Sequence, residues 1–262
     1  SDESKDMFMG NLGRIGLGAT YEVLGRYGEA NDVLVEAVAS SRRMGYKQGI
    51  HYGLVYLGRV AMDTGEYGVA LERFNDALGV ALATKTNRTI SFAQGSIAGL
   101  LRRLGRCDEA AKFLDEAIST GREGANLHVL CDCLQQKAEM LFEAGAADEA
   151  RHLNAEAKEI ATRVGKDGVV LAAGILEARM LAGPGMAAAA LDNMLDEPRE
   201  ERERAEILHA LCRLPGYGSR LAEARALYSS LYAKVPNSLF KERLAELEGA
   251  EGTFGAPRSS VK

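Results

Sequence analysis

Five glycines spaced 40 residues apart, Gly25, Gly65, Gly105, Gly145 and Gly185, constrain this chain more than any other feature, because each is followed five residues later by an alanine: Ala30, Ala70, Ala110, Ala150 and Ala190. Agreement in two independent columns makes the chain a tandem repeat. Four positions beyond the alanines stand large, mostly apolar residues, Leu34, Phe74, Leu114 and Met194, with Asn154 as the exception, and then Ala37, Ala77, Ala117 and Ala157. Upstream, Gly18, Gly58, Ala98, Ala138 and Ala178 form a column of small residues. Each unit holds two stretches with apolar residues at i, i+3, i+4 and i+7 on either side of a Gly-centred turn, the pattern of an antiparallel helix hairpin. In the first unit the helices are predicted at 8–24 and 29–44. The turn glycines stand where a helix C-terminus takes a left-handed residue at no steric cost. Small residues at the Gly18/Gly58 and Ala30/Ala70 slots let the two helices approach, and the larger residue four along fills the space between hairpins. No hairpin can bury its apolar face alone, so the units must stack.

The run Leu17-Gly18, Tyr21, Ala30, Leu34 and Ala37 resembles the tetratricopeptide signature slot for slot, lacking only its leading Trp. The usual period of that family is about 34 residues, so a period of 40 implies longer helices. The longer form looks like the arrays of spindle-orientation adaptors, kinesin light chains and bacterial signal-transducing ATPase regulators. The resemblance covers residues 8–236 and implies an all-α fold, a right-handed superhelical solenoid of about six antiparallel hairpins plus a C-terminal capping helix.

The period is expected to fail once. The next matching alanine after Ala190 is Ala224, 34 residues on, followed by Tyr228, Leu231 and Pro236, so a sixth, shorter hairpin closes the array. Its first helix is predicted over 199–213 and its turn at Pro215-Gly216-Tyr217-Gly218. The hairpins are therefore placed at 8–45, 46–85, 86–125, 126–165, 166–197 and 198–236, with a cap helix at 237–248. Residues 1–7 are expected to be disordered or foreign to the natural chain, and the Gly-, Ser- and Pro-rich tail 249–262 disordered.

Composition narrows function by exclusion. A net charge of −5 with interspersed signs offers no basic field for a phosphate backbone, so no nucleic acid is expected. No run of about 18 apolar residues occurs, so no membrane span is expected. Cys107, Cys131, Cys133 and Cys212 lack the spacing of a disulfide framework, which favours a reducing, cytoplasmic location. Cys131 and Cys133, with His128 before them, suggest a metal site until helical geometry is applied. Two residues apart on a helix they point roughly 200° away from each other, so no metal is expected. The four histidines, His51, His128, His152 and His209, fall in four different hairpins with no nucleophile elbow, and Gly10 to Gly18 has neither a preceding strand nor a following Lys-Ser/Thr pair. The expectation is a protein that is not an enzyme and carries no cofactor. Asp108-Glu109 and Asp148-Glu149, just after turn glycines, are assigned to helix-dipole and capping duty.

What remains is binding. Stacked hairpins form a concave wall lined by the first helix of each pair. Carrying over the ligand-facing register that the resemblance implies gives a groove containing Tyr52, Arg59, Phe92, Arg102, Arg103, Asp132, Gln135 and Glu139, with Leu12, Ile15, Glu22, Val55 and Asp63 nearby. The wall runs from apolar through aromatic and basic to acidic. A partner peptide or helix with a hydrophobic portion followed by an acidic stretch would anchor on Tyr52 and Phe92 and pair with the three arginines. The plainer alternative makes Arg102 and Arg103 the end of a helix, paired with the acids of hairpin four. At the functional level, two readings follow: an interaction module of a scaffold or signalling regulator, or a helical domain that senses a small molecule or signalling peptide for a transcriptional or ATPase regulator. Oligomeric state stays open. The charged cap argues against stacking through the C-terminal end and leaves the N-terminal end undecided.

Overall fold

The computed structural model describes the backbone of residues 2–249 and the side chains from residue 9 onward, so the tail 250–262 lies outside the described residues. Among the described residues there are thirteen α-helices and one 3-10 turn, and no strand. They form two compact units, Ser1–Met140 and Leu141–Lys262.

The first unit holds α1 (Asp2–Val23), α2 (Tyr27–Arg43), α3 (Lys47–Asp63), α4 (Tyr67–Thr84), α5 (Asn87–Arg103), α6 (Cys107–Glu123) and most of α7 (Leu127–Glu143). Helix α1 takes in residues 2–7, which the sequence placed before the first hairpin. Gly25, Gly65 and Gly105 have φ of 71°, 84° and 71°, the left-handed conformation expected of them. After each, the next amide donates five residues back, Arg26 to Tyr21 at 2.9 Å, Glu66 to Ala61 at 2.7 Å and Arg106 to Leu101 at 2.9 Å, which satisfies carbonyls that the helix end would orphan. A second column emerges between hairpins: Gly45, Lys85, Ala125 and, in the other unit, Gly165 all have positive φ. Sequence reading passed over it because only two of the four are glycine. The acidic pairs do not cap. No second helix shows a side-chain cap bond, and Glu109 instead takes both guanidinium bonds of Arg106, each at 2.7 Å.

The second unit continues with α8 (Ala147–Val164), α9 (Asp167–Arg179), α10 (Pro184–Asp196), α11 (Glu201–Cys212), the 3-10 turn Gly218–Arg220, α12 (Leu221–Lys234) and α13 (Ser238–Gly249). Here the expected register needs correction. Gly183, not Gly185, is the left-handed residue, and Gly185 is the second residue of α10. The buried alanine at the fourth position of α10 is Ala187, while Ala190 is only partly buried. The fourth residue of every second helix is then a buried alanine, Ala30, Ala70, Ala110, Ala150, Ala187 and Ala224, the most exposed at 2%. Four residues on, Leu34, Phe74, Leu114, Asn154, Leu191 and Tyr228 are all at most 1% exposed, and Met194 is partly buried outside this slot. The spacing is 40 residues up to Ala150 and 37 for each of the last two steps, so the period shortens one hairpin earlier than expected. Shorter helices are the cause, since α9 and α10 have 13 residues each against 17 or 18 in α3 to α8.

The small-residue column explains how the hairpins close. A methyl group on Gly18 would lie 2.5 Å from Leu34 Cγ, and one on Gly58 2.5 Å from Phe74 Cε1. The large residue of the second helix thus seats against bare backbone of the first. Burying each such side chain contributes about 1.5–3 kcal/mol. In hairpin four the slot holds Asn154, which donates to the Ala173 carbonyl of α9, in the next hairpin, at 2.9 Å.

Candidate functional site

The residues assigned to the groove lie on the first helices α1, α3, α5 and α7. Tyr52 on α3 and Phe92 on α5, 40 residues apart, lie together, with ring centroids 5.9 Å apart and a tilt of 50°. Both are half-buried, and His51 meets them edge-on at 5.0 and 6.2 Å. His51 itself is 1% exposed. Its Nδ1 lies 3.1 Å from the Ala77 carbonyl, and burial pushes its pKa down, so it is a neutral imidazole that donates to that carbonyl. The aromatic pair therefore rests on a rigid, uncharged base.

The three arginines are not equivalent. Arg59 donates to Glu22 Oε1 at 2.8 Å, and its guanidinium lies 5.4 Å from the Tyr56 ring centroid. Glu22 is 5% exposed, and burial raises its pKa, opposed by the charge of Arg59. Arg102 pairs with Glu139 Oε2 at 2.7 Å and donates to the Gln136 carbonyl at 3.3 Å. Glu139 also accepts from Gln135 Nε2 at 2.9 Å. Arg103 leaves this cluster, with its guanidinium 5.5 Å from the ring centroid of Tyr67 at the start of α4. The structure thus brings together Tyr52 with Phe92, and Arg102 with Gln135 and Glu139. It separates Arg103 from Arg102. Gln135, Val55, Ile15 and Glu22 are buried, and Asp132 is half-buried beside buried Cys131 and Cys133. The arginines are engaged by groups of the chain itself, as the plainer sequence alternative had it for Arg102.

The second unit holds a cleft that sequence reasoning missed. It has a volume of about 640 Å³, a floor that includes Val170, Leu171, Gly174 and Met194, and a rim carrying the ion pair of Lys158 with Glu177 at 2.6 Å. The signal was the shortened period. Where α9 and α10 lose a turn and the register slips, the two helices of hairpin five stop filling the space between them. Elsewhere the sulfur chemistry is muted: Cys131, Cys133 and Cys212 are buried, and burial pushes the Cys212 thiol up to about 11. Among the described residues no group of three His, Cys, Asp or Glu side chains could hold a metal ion, and no helix is long and apolar enough to cross a membrane.

Comparison with known proteins agrees with this architecture. The family model described as MalT-like TPR region matches residues 3–243. No curated protein sequence matches the chain. Among solved structures, a Rap protein complexed with Competence and Sporulation Factor is similar, with a TM-score of 0.64 at 13% identity over 95% of this chain and 65% of the other. Aspartyl phosphate phosphatase F from Bacillus subtilis gives 0.64 at 13% identity over 97% and 63%. NprR in complex with its cognate peptide NprX gives 0.62 at 12% identity over 98% and 87%. The chain spans under two thirds of the length of the first two, and at such identity these likenesses bear on fold alone.

Proposed function

The chain belongs to the MalT-like TPR region family, and on that premise we propose that it is a non-enzymatic protein-interaction module that binds a peptide or helix on the first-helix face of residues 1–140. The observation that carries this reading is the half-exposed pair Tyr52–Phe92, mounted on neighbouring helices and backed by buried, neutral His51. Aromatic side chains that are rigid and partly exposed contribute a large contact area at small entropic cost, which is how interface anchors work. Next to them the Arg59–Glu22 and Arg102–Glu139 pairs present fixed, mutually compensated charges. They orient a partner through polar contacts and do not demand an acidic stretch from it. The NprR and Rap structures, each solved with a bound factor or peptide, support the same use of the fold.

The test is capture of partners from the native proteome by the wild-type chain and by Tyr52→Ala/Phe92→Ala. A dominant partner lost by the double variant, whose helical content is retained, supports the reading. Equal recovery by both proteins removes this face from consideration. A second reading, ligand sensing, is favoured by the cleft of residues 141–262, which is large enough for a drug-sized molecule. It predicts a rise in melting temperature with a small-molecule ligand that Gly174→Leu abolishes.

A further inference from the structure

The turns that join successive hairpins in residues 1–140 carry a charge of their own. Residues 40–50, across the turn from α2 to α3, contain Arg42, Arg43 and Lys47 and no acid. Residues 80–90, across the turn from α4 to α5, contain Lys85 and Arg88 and no acid. Both turns lie at one end of these four helices, since His51 of α3 sits 3.1 Å from the Ala77 carbonyl and sets the start of α3 alongside the end of α4. All five side chains are exposed, and none forms an ion pair or side-chain hydrogen bond with another described residue. Residues 2–6 of α1, at the same end, add Asp2, Glu3 and Asp6 against Lys5, which leaves the excess positive. Setting the five cations apart from a net charge of −5 leaves −10 for the remainder of the chain. Helix dipoles account for only part of this. Arg42 and Arg43 close α2, where a cation is favourable, but Lys47 is the first residue of α3 and Arg88 the second of α5, where the dipole opposes it. Neither helix has an acid in its first turn to compensate, whereas α2 has Glu29 and α6 has Asp108 and Glu109. Lys47 and Arg88 therefore weaken their own helices and gain no partner among the described residues.

We propose that this end of α2 to α5 is a docking edge for a short acidic segment of another protein. Three of the five cations are arginines, whose planar guanidinium takes a carboxylate through two parallel bonds. Other polyanions suit the edge less well. Tyr46, the one aromatic residue of the two turns, is half-buried, so no exposed ring stands ready for the bases of a single strand. Leu82, 54% exposed, is the one large exposed apolar side chain of the two turns, too little for a membrane face. A long duplex would overrun the edge and meet the field of a remainder that carries −10, whereas a short segment meets only the cations. Arg88 precedes Phe92 by four residues, one helical turn, so an acidic run that flanks a peptide anchored on the aromatic pair also reaches the edge. The edge itself does not depend on that anchor.

Fluorescence anisotropy of a labelled deca-glutamate peptide tests the edge. The wild-type chain is expected to bind it at low ionic strength and to lose about tenfold in affinity as salt rises from about 50 to about 300 mM. Lys47→Gln/Arg88→Gln weakens binding about fivefold without lowering the melting temperature, because both cations oppose their helix dipoles. Arg14→Gln/Arg26→Gln/Arg106→Gln, which removes more charge from ion pairs elsewhere in residues 1–140, leaves the affinity unchanged. Tyr52→Ala/Phe92→Ala also leaves it unchanged, so failure of the aromatic anchor and failure of the edge are read apart. Absence of peptide binding, equal loss in the triple variant, a fall in melting temperature with Lys47→Gln/Arg88→Gln, loss of binding in the aromatic variant, or tighter binding of a short DNA duplex or of phosphatidylserine vesicles overturns the assignment.

Discussion

At the scale of single residues, backbone handedness separates what side chains reveal from what they conceal. Left-handed conformations recur every 40 residues at 25, 65, 105 and 145, where glycine makes them visible, and at 45, 85, 125 and 165, where Lys85 (φ 53°) and Ala125 (φ 48°) hide them. An L-residue in this region costs about 1–2 kcal/mol, while glycine costs about 0.5–1 kcal/mol more conformational entropy on folding, so strain wins by a small margin. Ala125→Gly is therefore expected to stabilise the chain by about 0.5–1 kcal/mol, read as a rise of about 2 °C in melting temperature. Gly45→Ala, the mirror experiment at φ 66°, should lower it by a similar amount. A fall with Ala125→Gly would mean that the backbone relaxes out of the left-handed well. Side-chain identity also concealed which arginine goes where. Arg102 and Arg103 read alike in sequence, and only the 100° between successive helical positions sends one to Glu139 and the other to Tyr67.

At the scale of the helix pair, two hairpins close through a large side chain set on bare backbone, Gly18 with Leu34 and Gly58 with Phe74, and the same spacing sets Ala98 opposite Leu114 in hairpin three. In hairpin two the ring of Phe74 lies directly against the bare backbone of Gly58. Gly58→Ala places a methyl 2.5 Å from Phe74 Cε1, and the ring, 0% exposed, has nowhere to move. Overpacking of this kind costs about 1–3 kcal/mol, more than the roughly 1 kcal/mol of helix propensity that alanine adds. Adding Phe74→Leu recreates the couple of hairpin three and should recover more stability than Phe74→Leu alone predicts. Denaturant unfolding of the four proteins of the cycle measures the coupling, and additive changes would refute the matched-couple account. The small column and the large column were both legible in the sequence, because their spacing survives substitution. The site was less so. Register correctly brought Tyr52 and Phe92 together, but it could not tell that Gln135 and Glu22 are buried, which depends on the neighbouring helix.

At the scale of the molecule, the 40-residue spacing specified five hairpin turns in outline but not the point where the array changes. Chance alignment of Gly185 and Ala190 extended the long period by one unit, and only the burial of Ala187 and Leu191 exposes the slip. The irregular half also differs electrostatically, and acid should discriminate between the two units. In residues 141–262, burial holds the pKa of His209 down while its Nε2 lies 2.9 Å from Glu246, with Arg243, Tyr228 and Glu206 around it. Its contribution is present above the unfolded value near 6.5 and is lost as pH falls below it. The His209 bond, with Arg243, holds the Glu246 carboxyl down to about 2, so its contribution is complete above 4.5 and is lost as pH falls from there towards about 2. In residues 1–140 two groups oppose each other. Burial lowers the pKa of His51 on α3 as it does that of His209, so acid is destabilising there, whereas burial raises the pKa of Glu22, so acid relieves a penalty that is present at neutral pH. Because repeat arrays couple mainly between neighbours, these local effects need not average over the chain. Hydrogen exchange at pH 7 and pH 5, corrected for intrinsic rates, should therefore show protection falling more in α11 to α13, where His209 and Glu246 act in the same direction, than in α3, where relief at Glu22 offsets the loss at His51. His209→Gln, which keeps a donor facing Glu246 without a titrating ring, should flatten the difference. Parallel loss in both units, or an undiminished slope in the glutamine variant, would assign acid sensitivity to the chain as a whole instead of to the buried histidine beneath its terminal helix.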